Sequence, residues 1–357
     1  MFLKDISVPI IIKKINVIER NGKLYLGCVS EDGVCGYMEA NNRVPFLLPI
    51  FKEMVIPYFT GKDARNLEEL IENVYTYKRN YKYAGMPFWN CVGHVEASIL
   101  DMVGKTVGKP VGELLGNLVR KEVPVYLSRF NRHQEPEEEI EQLIPLVEKH
   151  SFKAVKFKIG GRMSKNADVY PGYSEKLVKL ARKALGDDIV IYVDANGSYF
   201  PEKAIEVGKM LEEYNIGFYE EPCPWEDFMG TAKVNQKLNI PVAGGEQDTS
   251  LYKFQWMIAN EAVSIVQPDL MYNGGIIRCL KVAEMAEKAG LKIAPHNPKT
   301  GQASAPLLHL ISIISNPAPY HEYKEADEVV NGKVRVPDIP GLGFELDIDL
   351  AKARIVL

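Results

Sequence analysis

The amino-acid sequence reads as an α/β protein: a (β/α)8 TIM-type barrel with an α+β N-terminal capping domain that the C-terminal segment completes. Three features lead there. From Glu122 to Tyr323, eight short apolar runs alternate with amphipathic helical stretches, the pattern of a parallel sheet buried on both faces. The 357 residues exceed the roughly 250 of a barrel and leave room for a second domain. The first third of the chain follows a different grammar, β-rich and then helical. No run is followed by G-x-G-x-x-G, and eight even repeats favour a closed ring over an open doubly wound sheet.

In residues 1–120, Ile10–Glu19 and Leu24–Ser30 are β-rich runs around Asn21-Gly22, a hairpin signature. Glu31-Asp32-Gly33 marks a second turn before a short run through Tyr37. Residues Val44–Tyr58, Leu67–Tyr81 and Phe88–Val107 carry apolar positions at helical spacing, and Gly108, Pro110 and Gly116 break the last helix. Residues 121–325 form the barrel, with strands in VPVYLS, AVKFKI, IVIYVDA, IGFYEEP, IPVAGGE, VSIVQPD, LKIAPH and PYHEY. Helices lie between them, over Pro136–Lys149, Tyr173–Leu185, Pro201–Tyr214, Thr231–Lys237, Leu251–Asn260, Ile276–Ala289 and Ala303–Ser315. Residues 326–357 are Pro/Gly-punctuated and β-like, and are expected to return to the capping domain rather than extend the barrel.

Composition narrows the partners. Lys plus Arg is 43 against 47 Asp plus Glu, a net charge of −4 that argues against nucleic acid. Five scattered cysteines without C-x-x-C suit reduced thiols in a cytoplasmic protein. No apolar run approaches the ~20 residues of a membrane helix, and the opening MFLKDISVPIIIKKINV is too short and wrongly flanked for a signal peptide.

In such a barrel the chemistry sits where the strands end. The second run ends in Lys156-Phe157-Lys158, whose alternation points both lysines into the barrel. The third, fourth and fifth end in Asp194, Glu220 and Glu246, at equal steps of 26 residues. The sixth and seventh end in Asp269 and His296, and the eighth carries Glu322. Three converging carboxylates would repel unless a cation joined them, and an all-oxygen donor set suits Mg2+. Pairing of each with a nearby Lys or Arg is the alternative for any single carboxylate. An Asp269–His296 hydrogen bond would orient the imidazole as a base. Lys158 is a candidate for a second base, tuned by Lys156 and the cation. Asn196, Glu221 and Gln247 adjoin proposed ligands; Arg129, Asn131, Tyr320, His321 and Lys324 are weaker candidates, and Glu325 competes with Glu322 for the eighth position. There is no H-x-H, G-x-S-x-G or P-loop.

At these residues the chain resembles the enolase superfamily and, within it, the mandelate racemase subgroup. GHVEASILDMVGKTVGKPVGELLGN, VKFKIG, YVDANGS, YEEPCP, GGEQ, QPDLMYNGG, APHN and VPDIPGLGFELD fall in family order over nearly the whole length. The resemblance implies Mg2+ on Asp194, Glu220 and Glu246, and two bases, Lys158 and His296. It also implies Asp269 as the partner of His296, Lys156 as the tuner of Lys158, and Glu322 as a donor to the substrate carboxylate. Asp269, where another branch has a second Lys, places the chain on the racemase side. The turn at Asn21-Gly22 is shorter than the family's mobile cap loop, and Gly36-Tyr37-Met38-Glu39 replaces its G-x-G-E. The implied reaction is removal of the proton α to a carboxylate, as the superfamily performs it through a metal-held ene-diolate. Dehydration of a sugar acid to a 2-keto-3-deoxy acid is the favoured outcome. Racemisation or epimerisation of a 2-hydroxy acid or of a proline-type amino acid is the runner-up, and a non-catalytic scaffold the third reading. The partner is a small carboxylate, with assembly as a homo-oligomer, a dimer or octamer, by family analogy.

Overall fold

The computed structural model describes residues 2–324, 327–346 and 354–357. Strands β1 (Ile12–Arg20) and β2 (Lys23–Ser30) form the expected hairpin. Asn21 (φ 51°) and Gly22 (φ 75°) both lie in the left-handed region that a tight two-residue turn requires. β3 (Cys35–Glu39) pairs with β2, and the C-terminal residues Arg354–Ile355 pair with β1, so both chain ends meet in one four-stranded sheet.

Against this sheet lie α1 (Val44–Ile50), a π-helical stretch Phe51–Val55, α2 (Ile56–Phe59), α3 (Leu67–Asn73), the long α4 (Met86–Val107) and the short α5 (Val111–Leu115). The helix expected to run to Tyr81 stops at Asn73. Lys78 (φ 45°) and Arg79 (φ 66°) turn left-handed, and Asn80 Nδ2 donates to Val74 O at 2.9 Å, so the chain continues in 3-10 turns instead. α4 is buried from Phe88 to Gly104, and a Cβ at Gly36 would overlap the backbone of Ser98 and Met102, so β3 packs on α4 only with glycine there.

The barrel follows in order: β4 (Glu122–Ser128), α6 (Pro136–His150), β5 (Ala154–Lys158), α7 (Tyr173–Leu185), β6 (Val190–Asp194), α8 (Pro201–Glu213), β7 (Ile216–Glu220) and α9 (Phe228–Lys237). It continues with β8 (Val242–Gly244), α10 (Leu251–Ala259), β9 (Ile265–Val266), α11 (Ile276–Lys288), β10 (Lys292–Ile293), α12 (Ala305–Ile313) and β11 (His321–Tyr323). Every run read as a strand is one. The parallel order is β10-β9-β8-β7-β6-β5-β4-β11. Backbone contacts of Ile293 with Asn316 (3.1 Å) and Ala318 (2.8 Å) bring the two ends of this order together. Below the mouth Tyr126, Tyr192 and Phe218 fill the lumen, the last two stacked with ring centres 3.8 Å apart.

The tail departs from expectation in one stretch. β12 (Lys333–Arg335) pairs antiparallel with Glu122–Pro124, so these residues stay on the barrel. The cause is the overhang of β4, whose first three residues extend below the parallel pairing that starts at Val125 and would leave backbone groups unpaired. Beyond it, Gly341 bridges to Pro110, and Arg354–Ile355 is β13. Residues 347–353 of the tail, like Glu325, lie outside the described residues.

Buried polar residues join the two halves. Glu96 of α4 accepts the N–H groups of Ile276 and Ile277, both at 2.8 Å, at the N-terminus of α11, where the helix dipole favours a carboxylate. Gly275 (φ 114°) precedes that terminus, and a Cβ there would overlap the Glu96 carboxylate. Burial pushes the Glu96 carboxyl up to about 8 against the pull of the two N–H groups. Asp101 accepts the N–H of Tyr37 and of Leu342, each at 2.7 Å, and His309 links Gly112 N–H to the Leu342 carbonyl, each at 3.2 Å. Among the described residues no helix is long and apolar enough to cross a membrane.

Candidate active site

Strand register brings the strand-end residues together. Lys158 lies beside Asp194, and Asp194 beside Glu220, in consecutive parallel pairs. Equal steps in sequence thus become neighbouring inward positions at one mouth. One oxygen each of Asp194, Glu220 and Glu246 lies within 4.8 Å of the others, and all three residues are buried.

Supporting residues hold each ligand. Asp194 Oδ1 accepts the Asn196 N–H at 2.7 Å, and its Oδ2 contacts the Lys158 ammonium and Asn196 Nδ2. Arg132 donates to Asn196 Oδ1 at 2.7 Å and to the Asp194 carbonyl at 3.3 Å. Although burial pushes the Asp194 carboxyl up, Lys158, Lys156 and Arg132 hold it below its ordinary value. Glu220 Oε2 accepts from Lys156 Nζ at 2.7 Å and from Gln267 Nε2 at 3.2 Å, and Gln247 donates to Glu246 Oε1 at 2.8 Å. Burial, together with Asp194 and Glu246, pushes the Glu220 carboxyl up to about 8 against the pull of Lys156. Asn196 (φ 42°) and Glu221 (φ 40°) adopt left-handed backbone just past the ligands, local strain of the kind that gathers at functional sites.

The donor set fits a cation. Glu220 Oε1 is buried and accepts no hydrogen bond, and Glu246 Oε2 meets only His296 Nε2 at 3.2 Å, which is costly for carboxylate oxygens unless further positive charge meets them. Oxygen-only donors select a hard ion.

Lys156, fully buried, bridges Glu220 and Glu322 Oε1 (3.0 Å). Burial works against its charge, yet those two carboxylates hold its ammonium well above the ordinary value. Both lysines are therefore paired, Lys158 with Asp194 and Lys156 with Glu220 and Glu322. Across the mouth, His296 Nδ1 lies 2.8 Å from Asp269 Oδ2 and Nε2 lies 3.2 Å from Glu246 Oε2. Asp269 Oδ1 accepts the N–H groups of Met271 and Tyr272, at 2.8 and 2.9 Å, so its carboxylate is aimed at the ring. Burial lowers the His296 pKa, but Glu246, Asp269 and Glu322 outweigh it and raise it to about 9.

Glu322, expected as a donor to the substrate carboxylate, sits among three donors of the chain itself. Its Oε1 accepts from Ser128 Oγ at 2.7 Å and from Lys156; its Oε2 accepts the Asn297 N–H at 2.9 Å. Burial pushes its carboxyl up, but Lys156, His296, Lys158 and Ser128 hold it well below the ordinary range. Arg129 turns away to Glu139, Asn131 to Gln134, and Tyr320 packs beneath the lumen. Ser128, Arg132, Gln267 and Asn297 were not singled out from sequence. Gln267 was findable, because alternation places it inward two residues before Asp269.

Comparison with known proteins agrees with this geometry. The model of the Enolase C-terminal domain-like family matches residues 138–350. The chain belongs to the enolase superfamily. Among curated superfamily relatives it is 30% identical to arabinonate dehydratase of Saccharolobus solfataricus, over 89% of this chain and 86% of that one. It is 29% identical to D-galactonate dehydratase of Xanthomonas euvesicatoria, over 92% and 90%. A mandelate racemase/muconate lactonizing protein from Paracoccus denitrificans, solved with magnesium, superposes with TM-score 0.88 at 25% identity, covering 97% of this chain and 99% of that one.

Proposed function

We propose that this superfamily member is a Mg2+-dependent sugar-acid dehydratase acting on a small hydroxy acid. The observation that supports the reading is that two candidate bases adjoin different members of one carboxylate triad: Lys158 beside Asp194, and the Asp269-held His296 beside Glu246. The enzymes named arabinonate and D-galactonate dehydratase among its relatives support the substrate class, and the magnesium in the Paracoccus structure supports the ion.

Asp194, Glu220 and Glu246 would hold the cation, which would supply positive charge to stabilise the carboxylate of the deprotonated substrate. Lys156 adds a fixed ammonium at the same end, kept in place by Glu220 and Glu322. Lys158 Nζ takes the α-proton. Charge from the broken C–H bond moves into the carboxylate and then expels the β-hydroxyl. His296 gives that leaving group the proton held on Nε2, so hydroxide departs as water. The enol that remains gains a proton at the β-carbon and becomes a 2-keto acid. Asp269 holds the imidazole ring throughout.

A panel of sugar acids with Mg2+, read for 2-keto acids with semicarbazide and for α-proton exchange in D2O, tests the reading. Keto acid formed by the wild type and lost in Lys158→Ala and in His296→Ala supports it. Exchange or inversion without keto acid would make the enzyme a racemase or epimerase, and silence across the panel would remove the sugar-acid assignment.

A further inference from the structure

A cleft of about 530 Å3 lies between the capping residues 39–45 and barrel residues that include Asp269, Tyr272 and Lys299. Its charge is one-sided. Of the two carboxylates lining it, Glu39 is paired with Lys23 at 3.0 Å and Asp269 with His296 at 2.8 Å. Three further cations line the same cleft, Arg43, Lys299 and Lys324, and among the described residues none has a carboxylate partner. This basic mouth sits on a protein whose net charge is −4.

The cations are placed rather than scattered. The Arg43 guanidinium lies 4.9 Å from the centre of the Tyr272 ring, and the Lys324 ammonium 5.1 Å from that of Phe130. Aromatic faces hold a cation in position without neutralising it. The segment bearing Arg43 is itself pinned: buried His94 accepts the Asn41 N–H at 3.2 Å, and Asn41 Nδ2 donates to Asn90 at 2.8 Å. Phe130 also lies 5.5 Å from the Lys158 ammonium, so the ring that carries Lys324 stands between it and the proposed base. Tyr272, with its ring centre 6.4 Å from that of His296, and Phe130 beside Lys158 thus make the cleft adjoin both proposed bases.

We propose that the substrate is a dicarboxylic sugar acid, whose first carboxylate lies at the triad and whose second, at the far end, is received by Arg43, Lys299 and Lys324. The inference rests on the dehydratase reading and extends it to the class of acid. Lys156 and the cation site account for one carboxylate. Arg43 and Lys324 have no carboxylate partner among the described residues and Lys299 has only the field of Asp269, so gathering the three is costly through mutual repulsion, and an incoming second carboxylate relieves it.

Equilibrium binding separates this inference from the reaction itself. The probes are matched aldonate and aldarate pairs in the five- and six-carbon series, titrated with Mg2+ into the Lys158→Ala/His296→Ala variant, which lacks both bases and leaves the ligand intact. The expected result is an aldarate bound at least ten-fold more tightly than its aldonate, with the preference shrinking as salt is added. Adding Arg43→Met or Lys324→Met should weaken the aldarate about ten-fold and the aldonate no more than two-fold. Equal binding of the pair, or a preference that survives both substitutions, overturns the proposal. Turnover by the wild type is read separately: failure of every acid to exchange or dehydrate removes the dehydratase reading, while the binding pattern still decides the second carboxylate.

Discussion

His296 Nδ1 and Asp269 Oδ2 lie 2.8 Å apart on strand ends whose backbones bridge in parallel at these same two residues. The pair is thus set by main-chain register as much as by side-chain contact. Asp269→Asn leaves the register and the Met271 and Tyr272 N–H contacts in place but can offer Nδ1 an N–H instead of an acceptor. The expected result is a fall in kcat of about 10^2–10^4 with KM changed only a few-fold. A variant with near wild-type kcat would show that the carboxylate does not orient the ring.

Binding of the cation should be visible without turnover. Mg2+ at about 100 times its Kd stabilises the folded chain by roughly 2.7 kcal/mol, a Tm rise of several degrees. Glu220→Gln should lose that rise and need no Mg2+ to reach its own maximum Tm. Retention of the full Mg2+ shift in Glu220→Gln would place the ion elsewhere.

Two of the buried histidines, His94 beside the cleft and His309 beneath the capping domain's α5, predict acid sensitivity. Burial holds His94 and His309 down at about 4, from an ordinary value of 6.5. As pH falls below 6.5 the unfolded chain takes up these protons first, so stability declines from about pH 6.5 towards 4 and rises again with pH. Each should cost on the order of 2 kcal/mol between pH 7 and 5. Thermal unfolding across that range checks it: His309→Gln should be less stable at pH 7 but show a flatter profile. An unchanged slope would remove His309 as a contributor.

Gly275→Ala should destabilise the chain by about 2–4 kcal/mol, since it forces a Cβ into a left-handed backbone and onto Glu96. Combined with Glu96→Ala, the overlap disappears and only backbone strain and the lost N–H partners remain. Denaturant unfolding of the four proteins should give a double-variant loss smaller than the sum of the single ones. Strict additivity would mean the two positions do not meet.

The barrel was legible in the sequence because its strands are continuous apolar runs that no surface helix imitates, and because one βα unit recurs at nearly constant length. That recurrence also exposed the strand-end carboxylates. Tyr77–Lys82 was misjudged because its apolar spacing remains helical while Asn80, through a side-chain contact invisible to periodicity, ends the helix. β12 was misplaced because an overhanging strand is known only once its neighbours are. The contacts of Glu322 with Lys156 and Ser128 come from other strands, and no spacing rule foretells them. Arg132 comes from a loop after β4, and no spacing rule ties it to Asp194.

The Glu96 contact with α11 bears on how relatives of this chain could be recombined. Cleft residues such as Arg43 sit on the N-terminal side, and the carboxylate triad with Lys158 and His296 on the barrel, which invites exchanging one half between homologues. The carboxylate that closes the α11 terminus, however, is supplied by α4, and the glycine that admits it by the barrel. A crossover between them would leave either two helix-end N–H groups facing an apolar side chain or a buried carboxylate facing none. Chimaeras should therefore fold only when residues 96 and 275 come from parents that match at both, and grafting should start from loops such as 40–43 rather than from whole halves.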